Sequence, residues 1–426
     1  MKSKSVNSII IISLITFSLI LSTVEVFGGN GGSGYSRYGI GDISYFVSNR
    51  AIGMGGAGLA ALSNNSIDRI NPAGLSQINR TSYSISALYE GISTTDGIKS
   101  GYFGETSFDG IMIAIPIAPK NGIILSAGIT PYSRINYNVS TSDSFDILNY
   151  STQYRGDGGL AQGNLGISAI PINDIHVGAK FNYYMGTLNY TTKQSFGNSE
   201  SEYYSEVKRS LELKGIGFTI GSIYSGLKNV FHLSDANTLN IGIVFTTTPY
   251  LTAIEEKFYT YRTVTVTTRD TTTSDDFKIR IPYSLGFGAS YLSDRFLFAA
   301  DIYYQNWNRY TFNEVGASEL RDSYRFSMGG ELLPKRDQSV PFLQRMPYRL
   351  GFFYNSSYYR INDKPINEFG ITGGFGIPIF GDVRIDLGIE YSFRGTTDLQ
   401  MQKDNIFRLS FSLSGSELWF VRPEQE

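Results

Sequence analysis

The chain has 426 residues, 36 Lys and Arg against 38 Asp and Glu, a formal charge of −2, no Cys and 2 His. That balance gives no electrostatic footprint for nucleic acid, and the missing thiols exclude disulfides and a lipoprotein anchor. With 30 Tyr, 28 Phe and 46 Gly, the composition favours strands that are apolar on one side and tight backbone between them.

Residues 1–28 have the layout of a secretory signal. Lys2 and Lys4 form a short positive region, Ile9–Leu21 is apolar, and small-residue cleavage chemistry ends at Gly28. The apolar run is shorter than the roughly 20 residues of a spanning helix, so cleavage is expected. Loss of Lys2, Lys4 and Glu25 takes the charge from −2 to −3.

Residues 29–80 are rich in small, turn-prone side chains, including "AIGMGGAGLAALS" at 51–63 and "NNSIDRINPAGLSQINR" at 64–80. Gly53–Gly58 satisfies G-x-G-x-x-G, but the strand, helix and acidic residue of a dinucleotide site are missing around it. Gly53, Gly55, Gly56 and Gly58 are therefore read as close-packing backbone. Pro72 fixes its own φ and keeps Asn71 out of the helical region. An Asn-Pro-Ala-Gly step is also a generic turn.

From residue 81 the dominant signal is alternation. The expected strands are 81–90, 107–117, 122–138, 157–171, 175–195, 203–224, 237–258, 268–292, 295–310, 322–333, 346–360, 367–379, 382–395 and 405–414. In 175–195, Phe181 and Tyr183 alternate with Lys180 and Asn182; in 382–395, Ile385, Leu387, Ile389, Tyr391 and Phe393 alternate with Arg384, Asp386, Glu390 and Arg394. An even count of strands, many reaching the roughly 9–11 residues that cross a bilayer, predicts an all-β, 14-stranded antiparallel transmembrane β-barrel. Closure satisfies every backbone group in lipid. A secreted β-sandwich also alternates, but its strands are shorter.

Tight connections at 119–121, 172–174, 292–294 and 380–382 are expected on the periplasmic side, and polar ones at 139–156 and 259–276 outside; 225–236 and 334–345 are long periplasmic exceptions. Gly128 and Pro131 fall within strand three, where glycine weakens the ladder and proline cannot donate to it, so a gap or an ordinary bulge is expected. Arg384, Asp386, Glu390 and Arg394 share one face with compensating charge and read as a lumen network, not as catalytic carboxylates. His176 and His232 are far apart and make no zinc set. The chain is read as a non-enzyme with no cofactor.

The stretch 48–80 upstream of a fourteen-strand pattern, with "SELWF" at 416–420, resembles the FadL/TodX-type outer-membrane transporters of long-chain fatty acids and aromatic hydrocarbons. The resemblance implies a signal at 1–28, a hatch at 29–80 inside a barrel at 81–414, and a tail at 415–426. It places the hatch motif at Asn71, Pro72, Ala73 and Gly74, with Asn71 expected to bond the inner wall. It further implies passive uptake of hydrophobic small molecules, with hatch movement and lateral exit at a strand-three kink, here Gly128 and Pro131. The implied setting is a Gram-negative outer membrane, with lipid and lipopolysaccharide around a monomer and the barrel assembly machinery as a partner during biogenesis. Connections near 196–202 and 259–267 depart from the family's long capture loops. PorV-like members of the same superfamily imply an alternative, a barrel that binds protein partners in type IX secretion, with 225–236 and 334–345 as docking surfaces.

Overall fold

A computed structural model describes residues 31–45, 48–145, 148–196, 203–232, 234, 237–335, 337 and 339–417. The signal, residues 29–30 of the expected hatch, most of the connection at 196–202 and Leu418–Phe420 of the "SELWF" motif lie outside them.

Fourteen antiparallel strands among the described residues close a barrel. They are β1 (Thr81–Thr95), β2 (Ser100–Ala118), β3 (Ile123–Phe145), β4 (Leu148–Ile172), β5 (Ile175–Phe196), β6 (Tyr204–Tyr224), β7 (Thr238–Thr246, resuming at Tyr250–Arg262), β8 (Thr267–Thr273, Phe277–Arg280 and Ser284–Leu292), β9 (Phe296–Gln305), β10 (Ser323–Leu332), β11 (Tyr348–Ile361), β12 (Lys364–Phe380), β13 (Val383–Gly395) and β14 (Lys403–Glu417). Each pairs with the next, and β14 closes on β1 from Thr81↔Glu417 to Thr95↔Lys403.

The alternation places apolar side chains outward, the reverse of a soluble protein. On β13, Ile389, Tyr391 and Phe393 are exposed while Asp386, Glu390, Ser392 and Arg394 are buried. Phe181 and Tyr183 likewise point out from β5, and Lys180 and Asn182 point in. Such a wall suits lipid outside and a polar lumen inside. Among the described residues no helix is long and apolar enough to cross a membrane.

Two expected outer loops are mostly strand. Instead of a loop over 139–156, β3 runs to Phe145 and β4 begins at Leu148; instead of one over 259–276, Thr267–Thr273 pairs with Glu256–Arg262. Their Thr, Tyr and Val side chains favour extended backbone, and water on both faces tolerates polar residues there. Strands seven and eight, expected to be continuous, are interrupted next to Pro249 and Pro282, which cannot donate to a ladder, and strand eight also at Ser274, Asp275 and Asp276.

The lumen is filled in layers. At the end away from the tight turns, Tyr35, Tyr137, Leu211, Trp307, Tyr358 and Tyr359 belong to one buried apolar cluster, with the Trp307 and Tyr358 rings stacked at 4.1 Å. Residues 48–80 of the expected hatch lie across the barrel beneath it, bonded to the inner wall. At the tight-turn end, spaces of about 630 and 740 Å³ open beside Asn64 and Asn65 of the hatch.

Candidate functional site

The hatch is shaped by local capping before it meets the wall. Ser48 caps the turn Asn49–Ile52 by accepting from the Ala51 N–H at 3.1 Å, and Gly55 and Gly56 at φ +71° and +86° reverse the chain. Asp68 Oδ1 accepts from the backbone of Ile70 at 2.8 Å and of Asn71 at 3.0 Å. Burial nevertheless pushes the Asp68 carboxyl up to about 8. Asn71 Oδ1 then accepts from Ala73 N at 3.1 Å, and Pro72 opens the 3-10 turn Pro72–Gln77.

Asn71 bonds within the hatch, not to the inner wall as the sequence reading expected. Its Nδ2 donates to Leu59 O at 3.0 Å, joining the small-residue stretch to the Asn-Pro-Ala turn. The side chain is short, and both of its ends are already engaged. Asn71→Ala should therefore cost about 1–3 kcal/mol of hatch order, from the lost cap and an unpaired carbonyl. Faster amide exchange at Leu59–Gly74 with unchanged exchange in the wall is the measurable result.

The wall supplies the anchors. Asp301 Oδ2 on β9 accepts from Gly58 N at 2.7 Å and Leu59 N at 2.9 Å. Thr372 Oγ1 on β12 accepts from Gly55 N at 2.7 Å, while Arg325 on β10 donates to Gly55 O at 3.2 Å. Ser290 on β8 donates to Ala60 O at 2.9 Å, and Lys180 on β5 to Arg69 O at 2.6 Å. Arg69 in turn reaches Asp109 on β2 at 3.0 Å, and Ser76 meets Nδ1 of His176 at 2.7 Å.

Between these anchors the wall is cut back to glycine. Among the described residues, four cross-strand pairs face the hatch: Gly178↔Gly221, Gly242↔Gly288, Gly329↔Gly351 and Gly374↔Gly388. A Cβ would lie 2.6 Å from Ala73 N at Gly178, 2.5 Å from Met54 O at Gly329 and 3.2 Å from Ala60 Cβ at Gly242. On the hatch side, Gly53 sits beside Gly374, a Cβ at Gly55 would strike the Phe352 carbonyl, and one at Gly74 would lie 2.8 Å from Asp68 Oδ2. Gly56 is less crowded, with Arg325 at 3.5 Å. The sequence reading singled out the hatch glycines and missed their wall partners, although glycine inside a strand signals close backbone approach.

The four charged residues expected on β13 enter three groups. Arg384 bonds Asp386 at 2.7 Å; Asp386 also takes Arg349 at 2.6 Å, and Arg349 leads to Glu331 at 3.5 Å and so to Arg50 of the hatch. Glu390 pairs with Arg408, which also holds Glu90 and, at 3.4 Å, Glu368. Arg394 pairs with Asp42 at 2.8 Å and Asp404 at 3.2 Å. Burial makes such groups depend on their partners.

The wall forks between β2 and β3. They pair only from Ile111↔Ile129 to Ala118↔Ile123; beyond that, Ser100–Gly110 keeps its pairing with β1 and β3 keeps its pairing with β4. An irregularity marks the fork on each side: Gly110 at φ +129° beside a register shift against β1, and Pro131 at a register shift against β4. Gly128 lies below the fork in regular pairing with Met112 and Asn164. Across the fork Arg134 donates to Ser107, and Asn136 Nδ2 donates to Glu105 at 2.5 Å. A cavity of about 80 Å³ behind these side chains is lined by Leu88, Ile92 and Phe103 as well as Glu105 and Arg134. A second of about 80 Å³ touches Asp109 and Pro131. Both are far below the roughly 300–1,000 Å³ of small-molecule sites, so this is a closed arrangement.

The sequence matches the family described as BamG over residues 7–425. No curated protein matches it. Among solved structures, the CymD monoaromatic hydrocarbon channel is similar at a TM-score of 0.58 and 16% identity, covering 88% of this chain and 99% of that one. A Pseudomonas aeruginosa FadL homologue gives 0.60 and 11%, covering 88% and 98%, and the P. putida toluene transporter TodX 0.57 and 14%, covering 88% and 99%. At these identities the likeness is one of fold: a closed fourteen-stranded β-barrel.

Proposed function

We propose that this chain, which belongs to the BamG family, passes hydrophobic small molecules across an outer membrane without energy coupling and releases them sideways between β2 and β3. The observation that carries the reading is the fork at Gly110 and Pro131, an interruption of wall pairing next to a small cavity. Proteins of the same fold include a monoaromatic hydrocarbon channel and a toluene transporter. In the closed arrangement the Trp307 cluster covers the outer end and the hatch fills the lumen, so passage of a hydrophobic molecule needs both to yield, whereas small ions are held back chiefly by the hatch. Transfer of an apolar ligand from water supplies about 25 cal/mol per Å² buried, enough to drive capture with no other input.

Uptake of a panel of fatty acids and alkylbenzenes by cells with and without the protein tests this directly; identical uptake across the panel removes the reading. A sharper version uses the absence of native thiols. Bridging Glu105→Cys and Asn136→Cys with a short bismaleimide should abolish protein-dependent uptake, whereas either single variant should transport with or without the reagent.

A second reading, a barrel that docks protein partners as PorV-like proteins do, is favoured by the filled lumen and by the spaces of about 630 and 740 Å³ that open at the tight-turn end. The family's name also points to assembly. Stable stoichiometric partners on affinity capture support docking; a hydrophobic small molecule retained in the purified barrel supports transport.

A further inference from the structure

The two strands that part at the fork present bare backbone edges toward each other, and the chain's own amino-terminal segment already occupies part of that opening. Gly31 lies between them: a Cβ there would be 2.6 Å from the Phe103 ring on β2 and 3.1 Å from Asn138 Cβ on β3. Farther along, Asp42 and Ile43 pair antiparallel with Arg134 and Ser133, and Ser44 N donates to Tyr132 O at 3.0 Å. Between these points Ser36 Oγ donates to Asn136 O at 3.0 Å and accepts from Asn136 N at 3.2 Å. One hydroxyl thus meets both backbone groups that a neighbouring strand residue would, its proton shared between Asn136 O and Ser33 O at 2.9 Å. The segment from Gly31 to Ser44 behaves as a stand-in for a missing strand.

We propose that the β2–β3 opening is a docking site for an extended strand of a protein partner, which enters by displacing residues 31–44 from the edge of β3. Three observations choose this occupant. A strand edge is recognised by main-chain hydrogen bonds, and the resident segment uses them. An acyl chain or a hydrocarbon offers neither donors nor acceptors to such an edge, and leaving it bare strands buried backbone groups without partners. The resident ladder is also short, two residues against the 3–10 of ordinary strands, so a longer strand competes favourably. On β3 the buried Ile135 and Tyr137 alternate with Arg134 and Asn136, so the incoming strand presents apolar residues to the first pair, as Tyr35 and Ile40 now do, and polar residues to the second, across from Glu105 and Ser107.

The inference does not rest on transport, and its test reads no transport. The host is the full-length protein carrying Ser133→Cys, with the resident segment weakened by Ser36→Ala and Ser44→Pro, since the Ser44 N–H donates to Tyr132 O and proline cannot donate to a ladder. The probe is a fluorescent peptide with the sequence of residues 31–45 and Cys at the position of Ile43, the register partner of Ser133. Under mild oxidation the native peptide should form a disulfide with the host at least about tenfold more efficiently than a scrambled peptide, roughly 1.4 kcal/mol of discrimination. A host carrying Ser133→Cys with an unweakened segment should give about tenfold less product. Should the double change prevent compact migration on gels, Ser36→Ala alone serves as the host with the same expected ordering. Equal yields from native and scrambled peptides, as expected of an opening that admits only lipid, would overturn the proposal; so would product that does not depend on weakening the resident segment.

Discussion

Valine in place of Gly351 should open the barrel to small ions while leaving its wall closed. Any Cβ at this position overlaps the Met54 carbonyl carbon and Gly55 N, both hatch backbone, so no side-chain rotation relieves the clash. Overpacking of this kind costs about 1–3 kcal/mol, and 1–3 kcal/mol of differential free energy is about a 5- to 150-fold shift between two states. The wall itself keeps its ladder, because Gly351 pairs with Gly329 and Thr372 through backbone that valine retains. Planar-bilayer conductance should rise by that order, while heat-modifiable migration stays that of a folded barrel. Gly373→Val is the matched control, since its nearest neighbour would be Arg349 O at 3.8 Å. Equal conductance in the two variants would show that the glycine seats do not hold the hatch closed.

The second large effect is expected at Arg408. Replacing it with methionine removes the cation shared by Glu90, Glu368 and Glu390, leaving three carboxylates on neighbouring inner faces. Breaking a buried pair from one side costs about 3–5 kcal/mol, so the temperature at which compact migration is lost should fall sharply. Arg408→Lys should recover part of the loss, because an ammonium keeps the charge but cannot reproduce the guanidinium fork. If methionine and lysine behaved alike, packing and not charge would be the role of this residue.

The wall was legible in the sequence because lipid imposes a period of two: Ile389, Tyr391 and Phe393 against Glu390, Ser392 and Arg394 announce both a strand and its two solvents. What alternation does not carry is register. Nothing in the spacing of Arg408 and Glu90 brings them together until β14 is paired with β1, and nothing connects Gly178 with Ala73 until the hatch is inside. The outer ends of β3 and β4 were hidden by their polar composition, since above the membrane the apolar half of the pattern is no longer required. Pro131 marked strand three, but its counterpart Gly110 drew no attention, because one glycine in a strand is an ordinary event until the opposing strand also breaks. The role of Asn71 was misjudged for a related reason: its bond to Leu59 depends on a fold of the hatch that no local pattern encodes.

The glycine seats also constrain the order of biogenesis. The hatch is synthesised before any strand that surrounds it, whereas the seam between Thr81 and Glu417 joins the first strand to the last. Once that seam zips, a segment held at Asp301, Thr372 and Lys180 has no wide way in past the Trp307 cluster. Enclosing the hatch as the sheet curls would make it a mandrel on which the glycine-cut strands are wound, offsetting part of the entropic cost of closing a loop more than three hundred residues long.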